Sequence, residues 1–294
     1  TEAELIGDAI RRFRTAGVQA TVNINTNASL PAFRTDIRDQ GDKFLLEAEL
    51  PGGRRAVLLH TRLSIIDLSG GSQPMWTADR RLGIVFNGEI YNYQTLREEL
   101  IAAGHTFTTK SDTEVLLHGY EQWGVDLLQR VRGMFTFVIW DKNKQELFGA
   151  RDHFGIKPFY YAKMNGTFMY ASEIKSLLRH PDFVKELNAE ALKPYMTFQY
   201  PAIGETFFKG VYKLPEGHYF TYRDGKMDIH RYYDEDFREG KQKLGELVNS
   251  IDQTVCDSVK AHQIADVEVG SFLSSGVDSS YVAAVARPQH TYSI

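Results

Sequence analysis

Three short polar signatures, RLSIID (62–67), NGEIYNY (87–93) and SDTE (111–114), each stand beside an apolar run. That arrangement constrains the fold, because polar groups at the ends of buried elements are how a rigid frame presents a site. The run LGIVF (82–86) reads as a buried strand, and residues 94–103, with Leu96 and Leu100 four apart, as a helix ended by Gly104. Asn87 and Gly88 are thereby expected where a strand hands over to a helix. Glycine there lets backbone approach a ligand, and the Asn amide with a free N–H could donate to an oxyanion, although a plain Asn-Gly turn would leave the same dipeptide. Ser111 followed by Glu114 has the spacing of a capping box, opening a helix through Leu116, Leu117 and Tyr120. A carboxylate such as Asp112 at that start is stabilised by the helix dipole whatever its role.

Taken together and in order, HTRLSIIDLSGGSQPM, IVFNGEIYNYQTLREEL, SDTEVLLHGYEQWG, RGMFTFVIWD and LFGARDHFGIKPFYY resemble the glutaminase domain of glutamine-dependent asparagine synthetases, class II amidotransferases. The resemblance implies an α+β fold: an N-terminal-nucleophile αββα sandwich, followed by the start of an α/β ATP-pyrophosphatase domain. It implies that Arg62 holds the glutamine carboxylate, with Leu63, Ser64, Ile65 and Ile66 as the adjoining wall. Asn87 and Gly88 would form the oxyanion hole, and Glu89 and Asp112 would help bind the amino end of glutamine.

The expected organisation is an atypical segment over 1–53, a glutaminase domain over 54–233, a charged linker, DEDFREGKQK, over 234–243, and the opening of an ATP-binding domain over 244–294. In the first segment, residues 2–13 could form an amphipathic helix and 18–24 a strand, and 33–52 resembles the first strands of the α-crystallin domain of small heat-shock proteins. The family's processed amino-terminal cysteine and its Arg-Gly-Pro-Asp motif do not appear. In that chemistry the thiol attacks the amide carbon while its own α-amino group is the base, so both belong on one residue. Thr1 would be an alternative nucleophile, but TEAELIGDAI patterns as a helix start. The expectation is a glutamine pocket without its sulfur, in a catalytically inactive binding module or a fragment truncated at both ends.

The rest of the pattern agrees with such a frame. Residues 57–60, 83–86, 134–140 and 147–150 read as strands, with 134–140 buried on both faces. Asn165-Gly166 and Asp224-Gly225 mark two hairpins, and Ser172-Glu173-Ile174 begins a helix with Leu177 and Leu178. Arg151, Asp152, His153 and Lys157 read as an ion pair and a turn holding two strands. His218 and His230 lack partners at ligand spacing, so no metal site is expected among the protein's side chains.

Residues 244–262 form an amphipathic helix with the stripe Leu247, Val248, Ile251, Val255 and Val259, in which Cys256 is a packing residue. A strand over 267–273 then enters SSGVDSS and another helix. Strand, small-residue loop and helix make an anion site, although a tight turn has the same pattern. VGSFLSSGVDSS resembles the pyrophosphate loop of the synthetase domain. The resemblance implies that Leu273 contacts the nucleotide, that Ser274, Ser275, Gly276, Asp278 and Ser279 cradle the pyrophosphate, and that Ile294 lies by the adenine. Ser275 stands where the family has the first glycine of a pair. ATP and Mg2+ are the implied cofactors, with glutamine and aspartate as substrates. An aspartyl-adenylate would form, and ammonia from glutamine would displace AMP.

Composition excludes other classes. A net charge of −4 shows no basic excess, which argues against nucleic acid and anionic membranes. No apolar run reaches the length of a membrane span, and a single cysteine excludes a disulfide framework. A cytoplasmic protein, as a possible homodimer, is the expectation.

Overall fold

Strand β4 (Leu82–Ile90) and its antiparallel partner β5 (Gly133–Asp141) form the centre of the molecule, and both have their faces covered. The computed structural model describes residues 42–50, 54–62, 65–178, 180, 183–200 and 203–293; in its first two strands it describes the backbone and the side chains of Leu58 and His60. The expected helix over 2–13, the strand over 18–24, Leu63, Ser64, Ile294 and the side chain of Arg62 lie outside the described residues.

The chain enters through an antiparallel pair, β1 (Asp42–Leu50) and β2 (Arg54–Arg62). A short β3 (Met75–Trp76) edges β4, which is followed by helices α1 (Tyr93–Ala102) and α2 (Asp112–Trp123). After β5 come β6 (Glu146–Arg151), the hairpin β7 (Tyr160–Met164) and β8 (Thr167–Ala171), and a four-residue α3 (Ile174–Leu177). Next are α4 (Leu192–Phe198), β9 (Val211–Lys213) and a second hairpin, β10 (His218–Arg223) with β11 (Lys226–Arg231). The six-stranded sheet runs β11-β10-β6-β5-β4-β3, and a three-stranded sheet runs β8-β7-β9.

Side chains alternate across a strand, and here the alternation divides two cores. Ile84, Phe86, Phe135, Phe137 and Ile139 pack under the helices against Leu96, Leu100, Leu116 and Leu117. Val85, Val138 and Trp140 face the other way, onto Phe159, Phe168, Tyr170 and Leu58. A third cluster, with Ala162, Met169, Leu177 and Val211, closes the far side of the smaller sheet. The layering is helix, sheet, sheet, helix, and β5 is buried on both faces as its weak alternation predicts.

Both predicted hairpin turns are present. Asn165 and Gly166 have φ of 46° and 76°, and Asp224 and Gly225 have 50° and 78°, the two positive values a type I′ turn needs. Other expectations are corrected. Asn87 and Gly88 do not follow the strand; β4 continues through them, with Asn87 opposite Thr136 and Gly88 opposite Phe135. Arg151 and Asp152 hydrogen-bond to backbone instead of forming the expected pair. Arg151 donates to the carbonyls of Leu214, Lys157 and Gly155, while Asp152 accepts from the N–H groups of Phe135, Phe154, Ile156 and Lys157.

Residues 235–243 have no regular structure and are exposed, and α5 (Leu244–Ala261) follows. The expected strand over 267–273 is only β12 (Ser271–Phe272), because its sole described partner, the parallel β13 (Thr291–Tyr292), is as short. Helix α6 (Val277–Ala286) connects the two. Of the α5 stripe, Leu247, Val248 and Ile251 are exposed among the described residues. No described helix is long and apolar enough to cross a membrane.

Candidate active site

The last third of β4 brings most of the described candidate residues together. Asn87 is buried, and its amide nitrogen donates to Ser172 Oγ at 3.2 Å. Gly88 has φ of +151°, and a Cβ there would lie 2.0 Å from the carbonyl oxygen of Met134 on β5. Only glycine lets the two strands stay paired through this point. Glu89 follows, half-buried, with the Lys157 ammonium and the His262 ring near it. Removal from water raises its carboxyl pKa against the pull of those two groups, and burial lowers that of the Lys157 ammonium against Glu89 and Asp152.

Asp112 joins this strand end from the first turn of α2, its Oδ2 accepting the Ile90 N–H at 3.1 Å. The helix start is only half the expected capping box. Ser111 Oγ accepts from the Thr113 N–H, but the buried Glu114 turns to the preceding loop and accepts the N–H and hydroxyl of both Thr108 and Thr109 at 2.6–2.8 Å. Although burial works to raise its pKa, hydrogen bonds from His118, Thr109 and Thr108 hold Glu114 down at about 2.

The first signature is tied to the other two. Ile66 is buried and Ile65 packs beside it in the helix-side core. Asp67, at φ +50°, accepts the Lys110 N–H at 2.7 Å through Oδ2, so the turn after β2 abuts the residues leading into Asp112. Sequence reasoning missed Gln73, which is buried and precedes a cis peptide to Pro74. Its carbonyl oxygen accepts the Phe86 N–H at 2.6 Å and its amide donates to Thr113 Oγ1 at 3.2 Å, bridging β4 to α2. Its signal lay inside the first quoted motif, where a polar side chain stood beside an apolar pair.

The second region touches the same place. The His262 and Tyr91 ring centroids are 4.1 Å apart. Asp266 accepts the Asp67 N–H at 2.7 Å and donates its own N–H to the Ile65 carbonyl at 3.0 Å. Further on, Ser275 has φ of +64° at the entrance to α6, whose N-cap, Gly276, gives no side-chain cap. The Ser274 and Ser279 hydroxyls are 3.1 Å apart, with Ser274 exposed and Ser279 half-buried, and the Leu273 N–H donates to the Tyr292 carbonyl. Cys256 lies on α5 with Sγ 3.8 Å from the Tyr281 hydroxyl.

This is the α+β fold of the N-terminal-nucleophile glutamine amidotransferases. The likeness includes the Bacillus subtilis glutamine phosphoribosylpyrophosphate amidotransferase, at a TM-score of 0.51 and 16% identity over 92% of this chain and 65% of that one. Residues 17–233 match the glutamine amidotransferase domain family, and residues 250–294 match asparagine synthase. The chain belongs to the glutamine amidotransferase family. The first match includes the stretch that resembles a small heat-shock protein, which is thereby corrected to part of the amidotransferase. Among curated relatives, asparagine synthetase [glutamine-hydrolyzing] 1 of Bacillus subtilis strain 168 is 46% identical, covering 78% of this chain and 36% of its own length. Number 3 of the same strain is 36% identical, over 83% and 42% respectively. The amidase chyE of Penicillium rubens is 35% identical, over 77% and 34%. The chain therefore spans well under half the length of these relatives.

Proposed function

We propose that this chain carries the glutamine-holding part of a glutamine-dependent asparagine-forming ligase, with the opening of its ATP-using part. The observation behind this reading is the convergence of Asn87, Gly88, Glu89 and Asp112 at one end of β4, with the 65–67 turn beside them. In this reading Arg62 pairs with the glutamine carboxylate, with residues 63–66 as the wall. The Asn87 amide and Gly88 N–H face the oxygen of the scissile amide, and Glu89 and Asp112 face the ammonium. A carboxyl raised by desolvation, as Glu89 is, gains when an ammonium arrives.

The loop over 274–279 fits a phosphate group in its chemistry: exposed hydroxyls and a helix start without a side-chain cap. Ser274, Ser275, Gly276, Asp278 and Ser279 would hold the phosphates of ATP, Leu273 and Ile294 would lie along the nucleotide, and Mg2+ would accompany the phosphates. ATP there would supply the activation of the aspartate carboxyl for attack by ammonia. Small soluble substrates of this kind support a cytoplasmic location.

The one cysteine of the sequence, Cys256, belongs to the second region and not to the pocket. We infer that a polypeptide of this sequence holds glutamine without forming a thioester on it. Calorimetry with glutamine is expected to give saturable heat that disappears in Arg62→Ala, with no ammonia released. Ammonia release would overturn the inference of inactivity, with Thr1→Ala telling whether Thr1 is the nucleophile, and absence of glutamine heat would overturn the pocket.

A further inference from the structure

Away from that pocket, on the outer side of α2 and the loop that precedes it, two histidines and a carboxylate bring one ligand atom each within 4.8 Å of one another. His118 and Glu121 are three apart on the helix and so lie on one face, and His105 comes from the loop that leaves α1. The Nδ1 atoms of both rings address the same oxygen, Glu121 Oε2, at 3.4 Å from His105 and 3.3 Å from His118. Donors about 2.1 Å from a tetrahedral zinc ion stand about 3.4 Å from one another, so both N···O separations already equal the edge of such a site.

The remaining ring nitrogens are placed as outer ligands of metal sites place them. His105 Nε2 is 2.9 Å from Gln122 Oε1, and His118 Nε2 is 3.8 Å from the buried carboxylate of Glu114. The His118 Nδ1–Glu121 Oε2 contact is itself of hydrogen-bond length, and an ion at that point would take the place of its proton while the Nε2 contacts hold theirs, the orientation that metal-binding histidines adopt. Glu121 is held as well. Its other oxygen, Oε1, accepts from Arg81 at 2.7 Å, and that guanidinium also faces Asp79 and Asp141, at 3.8 and 3.7 Å. The Phe107 ring, 4.9 Å from that of His118, backs the cluster, and Glu121 keeps 29% of its side chain in contact with solvent, so a fourth position is open.

We propose that His105, His118 and Glu121 form a site for a divalent transition metal of zinc's preference, bound through Nδ1, Nδ1 and Oε2 with a solvent molecule completing the tetrahedron. Imidazole and carboxylate donors suit zinc better than calcium or magnesium, which prefer all-oxygen shells. The ion would clip the loop to α2. The same loop carries Thr108 and Thr109, which clasp Glu114, and Lys110, which donates to Asp67, so the clip would fix the approach to Asp112 from outside the pocket.

Calorimetric titration of the full chain with zinc alone tests this. One equivalent is expected to bind, weakened at least about 100-fold in His105→Ala and in Glu121→Ala and about 10-fold in Gln122→Ala, which loses only an orienting partner. With cobalt alone, the intense visible absorption of a four-coordinate ion is expected in the parent and absent from His105→Ala. His105 lies on a loop, and circular dichroism of its variant checks that folding is retained. Failure of the parent to bind zinc would overturn the proposal, as would an equivalent that survives His105→Ala unweakened, or the weak cobalt spectrum of a six-coordinate ion. In metal-free buffer glutamine heat is expected to be unchanged in these variants, because none of the three side chains lies in the pocket.

Discussion

At the scale of single residues, backbone conformation decides more than side-chain identity. Gly88→Ala would set a Cβ 2.0 Å from the Met134 carbonyl oxygen at a φ of +151°. Neither strand can yield without breaking the central pairing, so a loss of about 3 kcal/mol or more is expected in urea unfolding. Ser275 is the converse, a residue with a Cβ held at φ +64°. Ser275→Gly is expected to stabilise the start of α6 by about 1 kcal/mol in chemical denaturation, and to tighten ATP if the loop holds phosphate. Glu89→Gln tests the site's electrostatics. The folded-state pKa of Glu89 is raised, so its ionised form opposes folding above that pKa and the opposition vanishes below the unfolded value of 4.5. The variant should melt higher than the parent near pH 7, and the gap should close as pH falls toward 4.5. Gly88 was legible as a special position from residue type, and Ser275 through the resemblance, where it stands for a glycine; the sign of the Glu89 shift was not, because it depends on what lies around the side chain.

Elements are joined here by polar side chains as much as by apolar packing. Gln73 satisfies the Phe86 N–H and reaches Thr113, so one buried amide sets α2 against β4. Gln73→Leu leaves that N–H without its acceptor, and a loss of about 1–3 kcal/mol in urea unfolding is expected, with faster hydrogen exchange at Phe86. Strands, hairpins and the two long helices of the amidotransferase region were legible because their periods and their Asn-Gly and Asp-Gly turns are local signals. The reversal of Glu114 was not. The capping spacing was correct, but two threonine N–H groups and two hydroxyls competed for the same carboxylate and won. The extension of β4 past Asn87 was hidden for a similar reason: Asn-Gly is a turn signal only where no partner strand continues beside it, and Thr136 and Phe135 do.

Over the whole molecule, an exposed irregular stretch, 235–243, joins two regions that touch, among the described residues, at Tyr91 and His262 and at Ile65, Asp67 and Asp266. Limited proteolysis is expected to cut there first. Asp266→Ala, which removes the acceptor of the Asp67 N–H, should speed that cut several-fold, read by gel densitometry. This docking was not legible, because Tyr91 and His262 are ordinary residues in sequence and only the fold brings their rings together. The layer order was legible through the family motifs, whereas the division of the apolar residues into two cores follows only once each strand's facing is known. One feature constrains how such a pocket can change over generations. Asp112 holds the end of β4 with one of the oxygens it would need for a ligand. A lineage drifting toward a new donor molecule would therefore find that position closed to variation, with Glu89, which carries no such structural duty, as the position left to explore.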